Sequence, residues 1–509
     1  MYRLILACLL CLAGIFLSGI ALADSSPRPG LYLIPNVKKQ TPFPGRFGLA
    51  ISTRIVLDPH YSTALASTGQ IFAADLKAIT GHSVPVVSST PRPGDILLTL
   101  GSRNKMIDGE GYVMSIGDHV EIRARTDAGV FYGTQTLLQY LKQTSSLTGT
   151  VIVDWPDYPM RGLMVDVGRK YFSVQWLENE IRDLSYLKLN TLHLHLSDDK
   201  GFRIQSESHP ELNAGALPLY SKAQIRQLVD FAKRRHIEII PEIDLPAHAN
   251  AILRAHPELR LVDTSGNALP DKIDLSLPQS YKLIDDLLNE YLPLFPGRYW
   301  HCGCDEFLHP GEFDNYPQLK AYAVKHWGSN ATAIDTFLNY ANHVDAIVRG
   351  HGKRTRAWCD IYEYLTYTGN AVGLNKDITI ELWNRESDPQ DVLNHGYNLL
   401  NATYQPLYYN VGDGSYNHNQ ELYENWRPNL HFNTERNRSV APLAKGLEGA
   451  KYHIWCDNSE AEAEDQVAAD INDALNCLAQ NCWGASKFVP TYDKFQPIIR
   501  VIGHSPALR

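Results

Sequence analysis

From residue 160 onward, two hydrophobic rhythms alternate along the chain. Short apolar runs rich in Val, Ile and Leu occupy 162–167, 191–196, 237–243, 299–303, 354–358, 378–383, 398–402 and 450–454. Between many of them lie longer stretches whose apolar residues return at helical spacing: 174–187, 222–235, 280–294, 334–350 and 465–479. Short continuous apolar runs suit strands covered on both faces, and alternation with amphipathic helices predicts parallel βα units. Eight such runs predict a closed (β/α)8 TIM barrel over 157–509. The connection between the sixth and seventh runs is short, and 403–448, rich in Asn, Tyr and Gly, reads as loop.

The region 24–156 has a different texture. DILLTL (95–100) and residues 119–122 read as strands. TDAGVFYGTQTLLQYL (126–141) reads as a helix entered through Thr126 or Asp127, either of which suits an N-cap. This part is expected to form a small α/β domain before the barrel. The first 23 residues, MYRLILACLLCLAGIFLSGIALA, place one Arg before an apolar run that closes on Ala-Leu-Ala. That is the pattern of a secretory signal peptide cleaved after Ala23, with an uncleaved membrane anchor as the alternative. The mature protein is then expected to be exported, periplasmic or extracellular, with no membrane association. No cysteine at the cleavage point suggests a lipid anchor, and no later stretch is long and apolar enough to span a bilayer.

Composition narrows the class. Among 509 residues, 44% are hydrophobic and 20% charged, which suits a large globular core and excludes a disordered, collagenous or coiled-coil chain. The formal net charge of −9 argues against a nucleic-acid partner gripped by bulk electrostatics. Beyond the leader the cysteines are Cys302, Cys304, Cys359, Cys456, Cys477 and Cys482. In an exported protein six cysteines permit up to three bridges in fifteen full pairings, and Cys477 and Cys482 are close enough in sequence to pair. Cys302-x-Cys304 lacks the spacing and the second ligand pair of a zinc site, and no cofactor is implied.

In a barrel of this kind chemistry gathers where strands end. Following the runs in order, these positions hold Arg169; Asp198 and Asp199; Asp244 and His248; Asp305 and Glu306; Trp358 and Asp360; Trp383; Tyr404 and Tyr408; and Trp455 and Asp457. A mouth of carboxylates, one arginine and three tryptophans suits sugar chemistry. Asp305-Glu306 is the sharpest feature. Adjacent carboxylates at the end of an apolar strand disfavour double ionisation, so one is expected to hold its proton near neutral pH, as glycoside cleavage requires. The bland alternative is a solvated acidic turn. Each tryptophan alone would pass as core, but all three are followed within two residues by polar groups. His193 and His195, alternating on the second strand, read as structural.

These residues carry a resemblance to glycoside hydrolase family 20, the β-N-acetylhexosaminidases. The segments are GLMVDVGRKYFS (162–173), KLNTLHLHLSDDKGFRIQ (188–205), IEIIPEIDLPAHA (237–249), HCGCDEF (301–307), RAWCD (356–360), IELWN (380–384) and HIWCD (453–457), with TDAGVFYGTQTLLQYL similar to the helix of the family's small domain. The resemblance implies a retaining exo-hydrolase acting on glycans with terminal β-linked GlcNAc or GalNAc, in which the substrate's own acetamido oxygen is the nucleophile. It implies Glu306 as general acid/base, Asp305 as the group that orients the acetamide, and Tyr408, with Tyr404 as the alternative, as donor to its oxygen. It further implies Trp358, Trp383 and Trp455 as pocket walls and Arg169 as the holder of the 3- and 4-hydroxyls. Asp198 and His248 become the pair supporting the acid. Two positions depart from the family pattern. Gly303-Cys304 stands for Gly-Gly, and Asp457 stands where most exo-acting members have Glu to grip the 4- and 6-hydroxyls. A disaccharide-releasing lacto-N-biosidase and a catalytically silent glycan-binding protein are the competing expectations.

Overall fold

Strict alternation of buried and half-buried residues in Tyr112–Ile116 and Val120–Ala124 builds a sheet with one face in the core. In this computed structural model they are the fifth and sixth of seven strands. The others are β1 (Lys39–Gly48), β2 (Ile55–Leu57), β3 (Val86–Ser88), β4 (Ile96–Thr99) and β7 (Ser146–Asp154), in the order β1-β7-β5-β6-β4-β2-β3. β1, β7, β5 and β6 pair antiparallel, and β6, β4, β2 and β3 pair parallel. Helices α1 (Ser62–Thr80) and α2 (Asp127–Gln143) pack side by side on the sheet. The Thr126 side chain caps α2 by accepting from the Gly129 amide at 3.3 Å. Gly133 lets α2 approach closely, because a Cβ there would lie 2.4 Å from the Ile122 side chain.

The structure describes residues 30–215, 218–367, 369–384, 387–431 and 438–508, so the expected signal peptide lies outside the described residues. The described residues from Tyr32 onward form one compact unit. Among the described residues no helix is long and apolar enough to cross a membrane.

The second sheet closes on itself. Its strands are β8 (Met160–Asp166), β9 (Thr191–His195), β10 (Glu238–Leu245), β11 (Tyr299–Gly303), β12 (Arg354–Trp358), β13 (Thr379–Leu382), β14 (Leu399–Asn401) and β15 (Leu447–Trp455). All pair parallel in chain order, and β15 pairs with both β14 and β8. This is the expected eight-stranded barrel. Outside it run helices α3 (Val174–Tyr186), α4 (Lys222–Lys233), α6 (Pro278–Tyr291), α7 (Ala333–Gly350) and α8 (Glu464–Trp483), while the short α5 (Asn250–Ala255) follows the end of β10. Ser173 caps α3, and Ser221 with Gln224 forms a capping box on α4.

The stretch 403–448, read as loop, also carries a three-residue strand, Tyr408–Asn410, paired with the last three residues of β15, and a short helix, Asn419–Glu424. Three residues are too few for any periodicity to register. The cysteine expectation is corrected. All six cysteines are buried free thiols. Cys477 and Cys482 sit five apart on α8, where the 3.6-residue turn points them about 140° apart.

Candidate active site

The carboxyl end of β11 shows how the chain aims its acids. Gly303, Cys304 and Glu306 all have positive φ, at 73°, 79° and 47°. Gly303 has no substitute, since a Cβ there would fall 1.8 Å from Asp244 Oδ1. Two non-glycine residues in the left-handed region within four positions store strain of the kind that gathers at functional sites. The turn leaves Asp305 buried and the Glu306 side chain 59% exposed. Cys304 fills a buried position, with its sulfur 3.6 Å from that of Cys302.

A chain of charges runs behind this turn. His248, itself at φ 52°, sets Nε2 3.3 Å from Glu306 Oε2 and 3.6 Å from Asp305 Oδ2. Its Nδ1 lies 3.7 Å from Asp198 Oδ1. Asp198 is fully buried, 2.7 Å from His195 Nε2 and 2.9 Å from Arg169 Nη2. Arg169 is fixed from below by Asp166, at 3.0 Å, and lies over the Trp455 ring at 5.4 Å. Asp457 stands 3.7 Å from Arg169 Nη1, largely exposed, and accepts from Asn410 Nδ2 at 2.5 Å.

One of the two adjacent carboxylates is raised, as expected, but it is not Glu306, the acid that the resemblance implies. The raised group is Asp305, whose burial dominates, with Glu242 and Glu306 adding repulsion against the attraction of His248. Glu306 is lowered, because its hydrogen bond from His248 outweighs partial burial. His248 is raised well above the usual imidazole range: Asp305, Asp198 and Glu306 outweigh its own burial. The exposed member thus stays ionised beside an imidazolium, while the buried member resists ionisation. Asp360 is pushed up to about 8 by burial and by Asp305; it accepts from the Glu306 amide at 3.0 Å and from Trp383 Nε1 at 2.7 Å.

These groups open on a cavity of about 270 Å³ lined by Arg169, His248, Asp305, Glu306, Trp358, Trp383, Tyr408, Asn410, Trp455 and Asp457. The structure therefore brings together every pocket residue named from the sequence, with Asp198 directly behind. Tyr408, rather than Tyr404, lines the cavity; the two rings are 6.4 Å apart. Burial raises the Tyr408 hydroxyl well above its ordinary range, so it remains a donor. Trp358 is buried, 5.9 Å from Trp455, and its Nε1 donates to Glu242 Oε1 at 2.8 Å. A second cavity, of about 960 Å³, shares His248, Glu306 and Trp383 with the first and extends past Lys272, His309, Tyr364 and Tyr367.

Sequence reasoning gave no role to Asn410, Glu242 or Asp166. Asp166 and Glu242 lie inside the quoted segments, where a charged residue within an apolar strand was the available signal. Asn410 offered none. His193 and His195, read as structural, both lie against Glu242, at 3.2 Å and 2.5 Å.

Comparison with known proteins fits this geometry. The model for the catalytic domain of glycosyl hydrolase family 20 matches residues 158–484, and that for domain 2 of the family matches residues 30–155. A lacto-N-biosidase from Bifidobacterium bifidum is 32% identical over 482 residues, 94% of this chain but 42% of its own length. A beta-N-acetylhexosaminidase from Cellulomonas fimi is 29% identical over 364 residues, 67% of each protein. The chain thus spans less than half of the first relative and about two thirds of the second. Among solved structures, a GH20 exo beta-N-acetylglucosaminidase from Vibrio harveyi in complex with N-acetylglucosamine superposes with a TM-score of 0.74 at 23% identity, covering 93% of this chain and 78% of that one. A beta-N-acetylhexosaminidase from Bacteroides fragilis gives 0.75 at 21%, covering 94% and 97%. At such identities the structural likeness is one of fold. The family models, matched in order over both parts of the molecule, carry the assignment: the chain belongs to glycosyl hydrolase family 20.

Proposed function

We propose that the protein is an exported, exo-acting, retaining β-N-acetylhexosaminidase that removes terminal β-linked GlcNAc or GalNAc. The observation that carries this reading is the Asp305-Glu306 turn. It sets one buried and one exposed carboxylate against His248 at the edge of a tryptophan-walled cavity sized for a single sugar. In the first step the 2-acetamido oxygen of the bound sugar attacks C1. The C1–O bond to the leaving group breaks, and Glu306 gives that oxygen a proton. In the second step Glu306 takes a proton from water, which attacks C1 and opens the oxazolinium. Asp305 orients the acetamide and balances its positive charge, and Tyr408 donates to its oxygen. A tethered nucleophile of this kind can lower a barrier by about 7 kcal/mol or more. Glu306 is ionised in the free protein; a glycan covering its exposed face removes water and raises its affinity for the proton it must deliver.

The decisive assay uses purified protein and an aryl β-N-acetylglucosaminide, with the anomer of the first-formed product read by NMR. Release of the β-anomer and strong inhibition by a thiazoline mimic of the intermediate support the reading. An inverted product, or binding without turnover, overturns it. Export rests on the leader pattern, and a mature amino terminus at Asp24 in the secreted fraction tests it.

A second reading is favoured by one relative and one residue. The 32%-identical protein is a lacto-N-biosidase, and Asp457, one methylene shorter than a glutamate, leaves more room at the far end of the cavity. Comparing the aryl monosaccharide with an aryl lacto-N-bioside separates single-sugar from disaccharide release.

A further inference from the structure

Several His–carboxylate groups occur in the described residues, and most sit beside a resident cation. His193, Glu242 and His301 have the Lys451 ammonium 2.7 Å from His193 Nδ1, and in the group of Asp166, His195 and Asp198 the two carboxylates hold Arg169. One group differs. His209 Nδ1 and His256 Nε2 both lie 3.0 Å from the same oxygen, Glu211 Oε1. The three donor atoms fall within 4.8 Å of one another. The two rings stand 5.4 Å apart at 81°, so their nitrogens approach the oxygen from different directions.

Two further observations point to a ligand. His256 Nε2 is buried and makes no hydrogen bond, although Glu211 Oε1 is within reach: the oxygen lies off the direction in which an N–H would point. The far nitrogen of each ring meets a carboxylate, His209 Nε2 at 3.1 Å from Asp286 Oδ2 and His256 Nδ1 at 3.3 Å from Glu258 Oε1. Metal-ligating histidines characteristically donate their second N–H to such a partner, which fixes the tautomer and leaves the first nitrogen's lone pair free. A tetrahedral ion with bonds of about 2.0–2.2 Å separates its donors by about 3.3 Å, close to the spacing already present. Glu211 is 42% exposed, which leaves an entry path and room for water in the fourth position. Lys282 is spent on the outer carboxylate Asp286 at 2.6 Å, and Arg254, two residues before His256, donates to the Asp199 and Lys200 carbonyls.

We propose that His209, Glu211 and His256 form a site for a divalent transition ion of the zinc class. The ion would be structural. His209 and Glu211 belong to the loop after β9, whereas His256 ends α5, which begins two residues beyond His248. An ion held here would pin the segment carrying His248 against its neighbouring loop, with Asp286 of α6 as buttress. The inference rests on this cluster alone and does not depend on the proposed hydrolase reading.

The test uses full-length, untagged protein stripped with a chelator and titrated with zinc chloride or cobalt(II) chloride. Expected results are about one equivalent bound at micromolar metal, the visible absorption of four-coordinate cobalt, and a rise in the thermal midpoint. The Glu211→Gln variant, altered at an exposed position, and the His209→Ala/His256→Ala double variant should lose that equivalent and the midpoint shift. Asp286→Asn should weaken binding by about 10–100-fold through loss of the outer partner. The absence of binding at micromolar metal, or binding that survives in Glu211→Gln and in the double variant, overturns the proposal.

Discussion

Two clusters of ionisable side chains share the inside of this barrel, and they are built on opposite principles. Towards the amino ends of the strands, Glu381 lies 2.6 Å from Lys451 and 2.5 Å from Arg356, and Arg356 reaches Glu448 at 2.7 Å. Despite complete burial, Glu381 is held well below the usual carboxylate range, chiefly because Lys451 and Arg356 outweigh desolvation. At the carboxyl ends, Asp305 and Asp244 are buried with too few partners. Asp305 Oδ1 and both Asp244 oxygens accept no hydrogen bond, and both groups are pushed upward, first by burial and then by neighbouring negative charge or, for Asp244, by Asp305 itself. The lower cluster matches each anion with a cation at contact distance; the upper gives Asp305 only a share of His248, at 3.6 Å, and leaves both Asp244 oxygens without a hydrogen bond. A substrate that develops positive charge during reaction supplies what the upper cluster lacks. Glu242 joins the two, since it accepts from Trp358 Nε1 above while lying 2.8 Å from His301 Nδ1 below.

The largest effect should follow from removing the proposed proton donor. Glu306→Gln is expected to lower kcat by about 10²–10⁴-fold on glycosides with poor leaving groups, and by much less on aryl glycosides whose leaving group needs no proton. Its thermal midpoint should barely move, because the side chain is mostly exposed. Equal losses on both substrate types would deny Glu306 the acid role.

Next in size is a break in the lower cluster. Glu381→Gln leaves Lys451 and Arg356 without their shared counter-charge and should cost about 3–5 kcal/mol in stability, read by denaturant unfolding at neutral pH. The sign follows from the lowered pKa. The stabilisation from Glu381 is present above the unfolded carboxyl value and is lost as pH falls through the folded one. A change below 1 kcal/mol would mean that this cluster is no better compensated than the mouth.

Much of this arrangement was legible in the sequence, and the limits are physical. β11 and β12 match the expected 299–303 and 354–358 because apolar runs ending at Asp-Glu or Trp-Cys-Asp bound a buried parallel strand sharply. The placement of Arg169, the tryptophans and the acids around one cavity followed once their strands were known to close. The lower cluster did not declare itself. Sequence analysis gave Arg356, Glu381 and Lys451 no role, and only closure of the barrel brings them against one another. Which of the two adjacent carboxylates is raised was not legible for a related reason: adjacency of Asp305 and Glu306 in sequence says nothing about which is buried, and the left-handed turn at Glu306 decides it.

Asp305→Asn tests whether the mouth trades stability for chemistry. The variant should lose most turnover and yet gain roughly 1–3 kcal/mol in stability, since a neutral amide replaces a buried carboxylate with an unpartnered oxygen. Because the folded pKa of Asp305 is raised, the fold favours its protonated form. That contribution is complete below the unfolded value and lost as pH rises through the folded one. The gain from Asn should therefore grow as pH rises towards the folded value and vanish below about pH 3.9. A loss of stability at neutral pH would place Asp305 among the compensated charges.

The smallest effect concerns Asp457, which stands between the two principles. It has Arg169 at 3.7 Å and Asn410 at 2.5 Å, yet is 61% exposed, so its pairing with the arginine is weak and screened. If it grips the hydroxyls at the far end of a single bound sugar, then Asp457→Glu adds the missing methylene and brings the carboxylate nearer. The ratio of kcat/KM for an aryl N-acetylglucosaminide to that for an aryl lacto-N-bioside should then rise by up to about tenfold, a differential of about 1.4 kcal/mol. If the shorter residue makes room for a second sugar, the ratio still rises, but through collapse of disaccharide turnover and with the monosaccharide rate unchanged. Should both rates fall together, the residue serves only to hold Arg169 in place, and the line between compensated and uncompensated charge passes above Asp457 rather than through it.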